Sequence, residues 1–135
     1  MNTREHKSFE FWKNEMGDEK HNIHCAAVIE ACLGMIINTD LEQEIFVIAG
    51  WIHDLGKLID KEDHNVESLK YLDKFLKQTN KYEKWRGELE DCILNHRGNG
   101  NPETIYGLIF KCADKVALHN NKWLDYKKNK KASCP

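Results

Sequence analysis

The hydrophobic positions of this chain recur at the spacing of α-helices. Apolar residues three and four positions apart form a stripe along each long segment, and no segment alternates convincingly as a β-strand would. The pattern predicts a short helix around Phe9 and Trp12 that ends near Gly17, and a second helix from about 21 to 37. The inward stripe of this second helix is formed by Ala27, Val28, Ala31 and Met35, with His24 at its head.

Asn38-Thr39-Asp40 interrupts the pattern, and Asp40 is suited to cap a third helix that carries Leu41 and Ile45. This helix is apolar on nearly all sides in its second half, so we expect it at the centre of the fold. We expect it to end at Leu55-Gly56, because Gly56 can adopt the left-handed cap conformation.

Three more helices are predicted after a charged link over 57–63. The first is marked by Val66, Leu69, Leu72, Phe75 and Leu76, and the second by Tyr82, Trp85, Leu89, Cys92 and Ile93. Arg97–Pro102 is a loop, and Pro102 with Glu103 suits the start of a last helix over about 103–119. Its inward residues are predicted as Ile105, Leu108, Ile109, Cys112 and Val116. The chain is thus expected to be all-α, a compact single-domain bundle of about five to seven helices.

Composition narrows the class of protein. With 135 residues, 41% apolar and 31% charged, the chain fits one globular domain. We divide it into an N-terminal helical extension over 1–20, a central helical domain over 21–120 and a basic, solvated tail over 121–135. A formal charge of −2 gives no strong nucleic-acid signal, and neither a membrane span nor a signal peptide is visible. We therefore expect a cytoplasmic protein.

Five scattered cysteines predict reduced thiols rather than a disulfide framework. They are Cys25, Cys32, Cys92, Cys112 and Cys134, with no Cys-x-x-Cys pair among them. The first four lie in helical patterns, so we expect them to pack in the core.

Four polar side chains fall on the inward sides of predicted helices. His24, His53 and His96 each extend the apolar stripe of a different helix, and Asp114 lies within a fourth. His53 is followed directly by Asp54, at the end of the most apolar run of the chain. Charged or polar groups are costly in such surroundings unless something compensates them. Imidazole and carboxylate both bind divalent cations, so the pattern predicts a metal site.

The same residues resemble the H…HD…D signature of the HD-domain superfamily of metal-dependent phosphohydrolases. The similar segments are His24-Cys-Ala-Ala-Val28, Trp51-Ile-His-Asp-Leu-Gly-Lys57 and Lys111-Cys-Ala-Asp-Lys-Val116. The resemblance implies a helical fold with His24, His53, Asp54 and Asp114 as metal ligands. It also implies hydrolysis of a phosphate ester, of a nucleotide or another small molecule, by hydroxide that the metal generates from water.

Two more histidines resemble those of family members that hold two metal ions. His64 follows the central motif, and His96 comes later in the chain. With these two residues the resemblance implies six ligands, in which Asp54 would bridge the two ions: His24, His53, Asp54, His64, His96 and Asp114. For His64 the alternative is an exposed residue at a helix start. The resemblance implies one or two divalent ions, of Mn, Fe, Co, Ni or Zn. His21 is expected to be a surface residue, although a substrate contact is open, and His6 and His119 are expected at the surface.

A phosphorylated substrate requires positive groups near the metal. Lys57 is the first candidate for phosphate binding, and together with Asp54 it is expected to be a catalytic residue. Arg97 and Lys115 are further candidates for substrate binding. Trp12 and Trp123 offer surfaces on which a base could stack, whereas Trp51 and Trp85 are expected to pack within their helices. Two other functions stay open at this point: a di-iron oxygenase built on the same six ligands, and a metal-binding regulatory module with little turnover. The sequence leaves the oligomeric state undetermined.

Overall fold

The computed structural model describes residues 1–132 and contains only helices and connecting segments in that range. The helices are α1 (Lys7–Glu15), α2 (Glu19–Met35), α3 (Gln43–Ile52), α4 (His64–Thr79), α5 (Arg86–Leu94), α6 (Ile105–Val116) and α7 (Asn121–Ala132). Short 3-10 turns cover Leu55–Leu58, Glu83–Trp85 and Ala117–His119. The predicted all-α bundle is confirmed, with seven α-helices in the described residues.

Helix α3 forms the centre of the bundle. All residues from Ile45 to Ile52 are buried, as expected for a run that is apolar on nearly every side. Helices α1, α2 and α5 pack around it, and α6 closes the bundle against α2 and α5. Because α3 is enclosed, the residues that follow its last turn also lie in the interior.

Both ends of α3 differ from the sequence prediction. The helix starts at Gln43, so Leu41 lies before it and Asp40 does not cap it. The hydroxyl of Thr39 accepts a hydrogen bond from the Leu41 amide, and the hydroxyl of Tyr106 accepts one from the Glu42 amide. These two hydroxyl groups, instead of Asp40, therefore pair with the backbone amides just before the helix.

The other end of α3 is at Ile52, and Gly56 does not have the left-handed conformation predicted for it. Gly56 lies in a 3-10 turn pressed against α4. A Cβ atom at this position would lie 2.1 Å from the carbonyl oxygen of His64 and 2.6 Å from the amide nitrogen of Ser68. The glycine is therefore needed for close packing of two backbone segments.

Helix α6 turns a different face to the core than the sequence predicted. Gly107, Phe110 and Ala113 are its buried residues, and the helix begins after the cap residue Thr104 rather than at Pro102. Both sides of this helix carry apolar residues, so the spacing of its apolar residues alone did not identify the buried side. The residues wrongly predicted to be in the core are Ile105, Leu108, Cys112 and Val116 on this helix, with Met35 on α2; all five are exposed.

The segment predicted as a solvated tail contains helix α7, which packs against α2. Trp123 anchors it, with an exposed fraction of 7%. The division into extension, central domain and tail stays a prediction. None of the four described cysteines forms a disulfide, whereas Cys134 lies outside the described residues. Within residues 1–132 no helix has both the length and the apolar character needed to cross a bilayer.

Candidate metal centre

The turn after α3 places His53 and Asp54 in the interior. Their exposed fractions are 0% and 2%. Ser68 of α4 braces this turn, because its hydroxyl donates to the carbonyl oxygen of His53 (2.8 Å) and accepts from the amide of Gly56 (2.8 Å). The close contact at Gly56 and this pair of hydrogen bonds bring the start of α4 next to Asp54.

The first group of candidate ligands joins three helices. Nε2 of His24 lies 3.3 Å from Oδ1 of Asp114 and 3.7 Å from Oδ2 of Asp54. Nε2 of His53 lies 3.4 Å from Oδ2 of Asp54 and 3.6 Å from Oδ1 of Asp114. Two atoms that are each about 2.1 Å from one ion are separated by roughly 3.0–3.5 Å. The four spacings, at 3.3–3.7 Å, are close enough to this range for small side-chain shifts to place all four residues on one divalent cation.

The second group consists of Asp54, His64 and His96. The two histidine Nε2 atoms are 3.0 Å apart, and Oδ1 of Asp54 lies 3.3 Å from Nε2 of His64. Both histidines are buried, so the open alternative of an exposed His64 is wrong. His96 lies just after α5, in the position that the inward stripe of that helix predicted.

Backbone carbonyl groups fix the orientation of three of these rings. Nδ1 of His53 lies 2.7 Å from the carbonyl oxygen of Gly50, and Nδ1 of His96 lies 2.6 Å from that of Ile93. Nδ1 of His64 lies 3.0 Å from the carbonyl oxygen of Lys61. A carbonyl oxygen only accepts, so each Nδ1 carries a proton, and each ring in its neutral form directs the lone pair of Nε2 into the site.

Asp54 connects the two groups through its two carboxylate oxygens. Oδ2 faces His24 and His53, whereas Oδ1 faces His64. Oδ2 of Asp54 and Nε2 of His53 are buried, and neither has a hydrogen-bond partner among the described residues. Buried polar atoms in this state are costly, and a cation between them would remove the cost. The donor set of neutral imidazoles and carboxylates therefore fits divalent metal ions.

The charges of the site support this interpretation. Burial alone would raise the pKa of Asp54, but the neighbouring His53, Lys57 and His24 outweigh it and hold that pKa well below its usual range. The neighbouring His24 and His53 likewise outweigh burial and keep the pKa of Asp114 far below its usual range. Both aspartates are therefore ionised at neutral pH, as metal ligands must be.

The histidine pKa values separate the two groups. Burial opposes the charged form of His53, but Asp54 and Asp114 outweigh it and raise the pKa of His53. Burial lowers the pKa of His64, and burial together with the nearby His53 lowers the pKa of His96 to about 4. The second group thus holds two neutral imidazoles at neutral pH, ready to donate to a cation.

Cys25 and Trp123 also border the site, and Cys25 was not recognised from the sequence as belonging to it. Its sulfur lies within 4.8 Å of ligand atoms of His53 and Asp54, although Cys25 follows His24 by one residue, a spacing that normally places side chains on different faces of a helix. Burial, and then the charge of Asp54, raise the pKa of this thiol, so it stays protonated. Trp123 of α7 packs against His24 with ring centroids 5.3 Å apart. Its burial, and that of Trp12 in the core, are at odds with the stacking surfaces expected for both residues.

The three basic candidates have different positions. Nζ of Lys57 lies 3.5 Å from Oδ2 of Asp54, so it belongs to the site. The guanidinium of Arg97 donates to the carbonyl oxygen of Glu62, which ties the loop after His96 to the segment before α4. Lys115 is exposed on α6, next to Asp114.

Comparison with known proteins agrees with this geometry. The family model described as HD domain matches residues 22–118, which is most of the chain. The chain belongs to the HD-domain family. This family generally includes metal-dependent hydrolases and proteins that bind divalent metals. No curated protein and no solved structure matches the chain.

The histidines set aside in the sequence analysis have mixed positions. His119 is exposed, as expected. His6 is not a surface residue, because its side chain is only 8% exposed and its Nε2 lies 2.9 Å from a carboxylate oxygen of Glu44. His21 is also largely covered, with a side-chain exposure of 15%.

Proposed function

We propose that this HD-domain protein is a metal-dependent phosphohydrolase that cleaves the phosphate ester of a nucleotide or another small molecule. The observation that carries the proposal is the position of Asp54, whose two carboxylate oxygens face two separate groups of candidate ligands. The ligands of the first group are His24, His53, Asp54 and Asp114, and those of the second are Asp54, His64 and His96.

Divalent ions bound by these residues supply a nucleophile from water and polarise a phosphoryl oxygen. The residues of the chain prepare the site for this chemistry. The carbonyl groups of Gly50, Lys61 and Ile93 hold the imidazole rings in one tautomer, so the ligands do not have to reorganise. Nζ of Lys57, 3.5 Å from Asp54, is placed to neutralise charge on the phosphoryl group.

Access to the site is consistent with an external substrate. Asp54 and His53 are enclosed, whereas the Asp114 side chain is 24% exposed and that of Lys57 32% exposed. The centre therefore opens on the side of these two residues. We propose that a small phosphorylated substrate enters there, and that the protein acts in the cytoplasm.

A metal-dependent phosphatase assay tests the proposal. The purified protein is analysed for bound metals and assayed for phosphate release from a panel of nucleotides and small phosphate esters, with each divalent metal in turn. We expect metal-stimulated release that Asp54→Ala abolishes. The control is Asp40→Ala, which removes an exposed aspartate outside the site and should leave the rate unchanged.

The alternatives give different results in the same assay. Two irons per chain with a mixed-valence signal, and no phosphate release with any metal, would show oxygenase chemistry instead. Tight metal binding with neither activity would show a binding module.

A further inference from the structure

A pocket of about 610 Å³ lies directly beside the second group of candidate ligands. His64 and Lys57 form part of its wall, so a molecule that fills the pocket also reaches the metal centre. The N-terminal part of α2 and the turn before it form another part of the wall, with Asp18, Lys20 and His21. Asp114 is not among the residues that line this pocket.

Positive charge predominates in this pocket. Three lysines line it, Lys20, Lys57 and Lys61, against the single carboxylate of Asp18. That carboxylate is already engaged, because it lies 2.8 Å from Nδ1 of His21. The lining residues therefore carry more positive than negative charge.

The lysines differ in whether they have partners of their own. Lys57 lies 3.5 Å from Oδ2 of Asp54, so it belongs to the metal centre. Among residues 1–132, neither Lys20 nor Lys61 has a carboxylate oxygen within 4.0 Å. Lys61 is also anchored close to the centre, because its carbonyl oxygen faces Nδ1 of His64 at 3.0 Å.

His21 adds an unsatisfied polar atom to the same wall. Its Nδ1 faces the Asp18 carboxylate, which leaves Nε2 buried and without a hydrogen-bond partner among the described residues. A buried nitrogen in this state is unusual and calls for a partner. Because Nδ1 donates its proton to Asp18, Nε2 is an acceptor, and a hydroxyl group or a protonated phosphate oxygen of a ligand in the pocket would supply this partner.

We propose that this pocket binds a second phosphate group of the substrate, with Lys20 and Lys61 as its main contacts and His21 as a further hydrogen-bonding partner. Two lysines match the double charge of a phosphate better than the single charge of a carboxylate, and lysine serves in proteins as a compact phosphate-binding charge. The substrates are then small organic bisphosphates, and this assignment rests on the proposed phosphohydrolase function.

The rest of the wall fits the carbon skeleton of such a molecule. Met16 and Leu58 line the pocket between the charged side chains. A short aliphatic or sugar linker can contact these apolar groups while one phosphate lies at the metal centre near Lys57 and the other at Lys20 and Lys61. The preference for bisphosphates over monophosphates then depends on the second phosphate, because only that group contacts Lys20 and Lys61.

Matched substrates test this assignment. Propanediol bisphosphate and hydroxypropyl phosphate have the same linker and differ only in the second phosphate. We expect the wild-type protein to favour the bisphosphate by about tenfold or more in kcat/KM, mainly through a lower KM. The reason is that a hydrogen bond to a charged group typically strengthens binding by about tenfold or more. The double variant Lys20→Met/Lys61→Met should reduce this ratio to about one.

The control variant is Lys77→Met/Lys84→Met. It removes the same formal charge from lysines that do not line the pocket, and it should keep the preference of the wild type. A control that loses the preference as fully as the pocket variant would overturn the assignment, because net charge alone would then explain it.

A binding measurement separates the failure of this inference from that of the proposed function. Calorimetry with propylene bisphosphonate and propylphosphonate, which are not hydrolysed, measures the second-phosphate contact in the metal-loaded protein without turnover. Equal affinities of the wild type for both compounds would overturn the subsite whatever the phosphatase assay shows. Tighter binding of the bisphosphonate that the pocket variant loses would support the subsite even if no ester were hydrolysed, and would then overturn only the proposed hydrolysis.

Discussion

The Nε2 atoms of His64 and His96 lie 3.0 Å apart, and each ring directs its Nδ1 proton to a backbone carbonyl. Two neutral imidazoles in this arrangement present lone pairs to each other, which is repulsive unless a cation lies between or beside them. About 3.0 Å is also the separation of two nitrogen ligands at right angles around one ion with bonds of ~2.1 Å. The pair is therefore well suited to bind a second ion next to Asp54.

Removing one member of this pair tests the second metal position. We expect His96→Ala to lower the metal content from two ions per chain to one, because Asp54 and His64 alone provide too few ligands. Elemental analysis of the purified and metal-loaded variant measures this. His119→Ala removes an exposed histidine and should keep both ions; two tightly bound ions in His96→Ala would refute the role of the pair.

The ring of His96 should titrate at low pH in the metal-free protein. Burial and the nearby His53 lower its pKa to about 4, well below the ordinary value near 6.5. An NMR titration of the histidine ring signals after metal removal measures this directly. We expect His96 to stay neutral at pH 6, and a pKa of His96 near 6.5 would contradict the enclosed site.

Gly56 should tolerate no side chain. Alanine at this position would place its Cβ 2.1 Å from the carbonyl oxygen of His64, a backbone atom that cannot move aside alone. We expect Gly56→Ala to lower the free energy of unfolding by about 1–3 kcal/mol and to weaken metal binding, because it pushes α4 away from Asp54.

Denaturant unfolding and metal titration measure the two effects at Gly56. The matched control is Gly87→Ala on the exposed side of α5, where a Cβ meets no atom within 4 Å. It should be neutral or stabilising, by up to about 1 kcal/mol. Equal effects of the two substitutions would show that the close contact at Gly56 has no special importance.

Asp91 should make the fold sensitive to acid. Its buried carboxylate accepts hydrogen bonds from the amides of Glu103 and Thr104 and from the Thr104 hydroxyl, which join α5 to the start of α6. Burial opposes ionisation, but these bonds outweigh it and lower the pKa of Asp91. Its contribution to stability is therefore fully present above the unfolded-state pKa near 3.9 and is lost as the pH falls through the lower folded-state value.

Unfolding measured at several pH values tests this contribution. Asp91→Asn should lower the free energy of unfolding at pH 7 by about 1–3 kcal/mol, since an amide cannot accept all of these bonds. The difference from the wild type should shrink below about pH 4, whereas Asp40→Asn should show no such difference. If Asp91→Asn lowers the free energy of unfolding by the same amount at every pH, the proposed role of the ionised Asp91 carboxylate is contradicted.

Much of the site was predictable because its residues sit in strong local patterns. The apolar stripes of α2 and α5 predicted that His24 and His96 face the interior. The apolar run before His53 predicted that the His53-Asp54 pair is buried. The resemblance to the HD-domain superfamily then supplied His64, whose local sequence alone left an exposed position open.

Other features depend on tertiary contacts that no local pattern carries. The buried side of α6 was misjudged because Ile105 and Phe110 lie on opposite apolar faces, and only packing against α2 and α5 selects between them. Helix α7 was missed because its lysine-rich sequence has little hydrophobic periodicity. Trp123 packs it against His24, a tertiary contact that the sequence pattern does not show. The contact at Gly56 joins two backbone segments, which a sequence pattern does not reveal.

The most direct test of the account is the position of metal ions relative to Asp54. Anomalous diffraction from crystals of the manganese-loaded protein would locate them. We expect two ions about 3.5–4 Å apart, one on each side of the Asp54 carboxylate, with His24, His53 and Asp114 on one and His64 and His96 on the other. Bound manganese with no oxygen of Asp54 among its ligands would contradict the account.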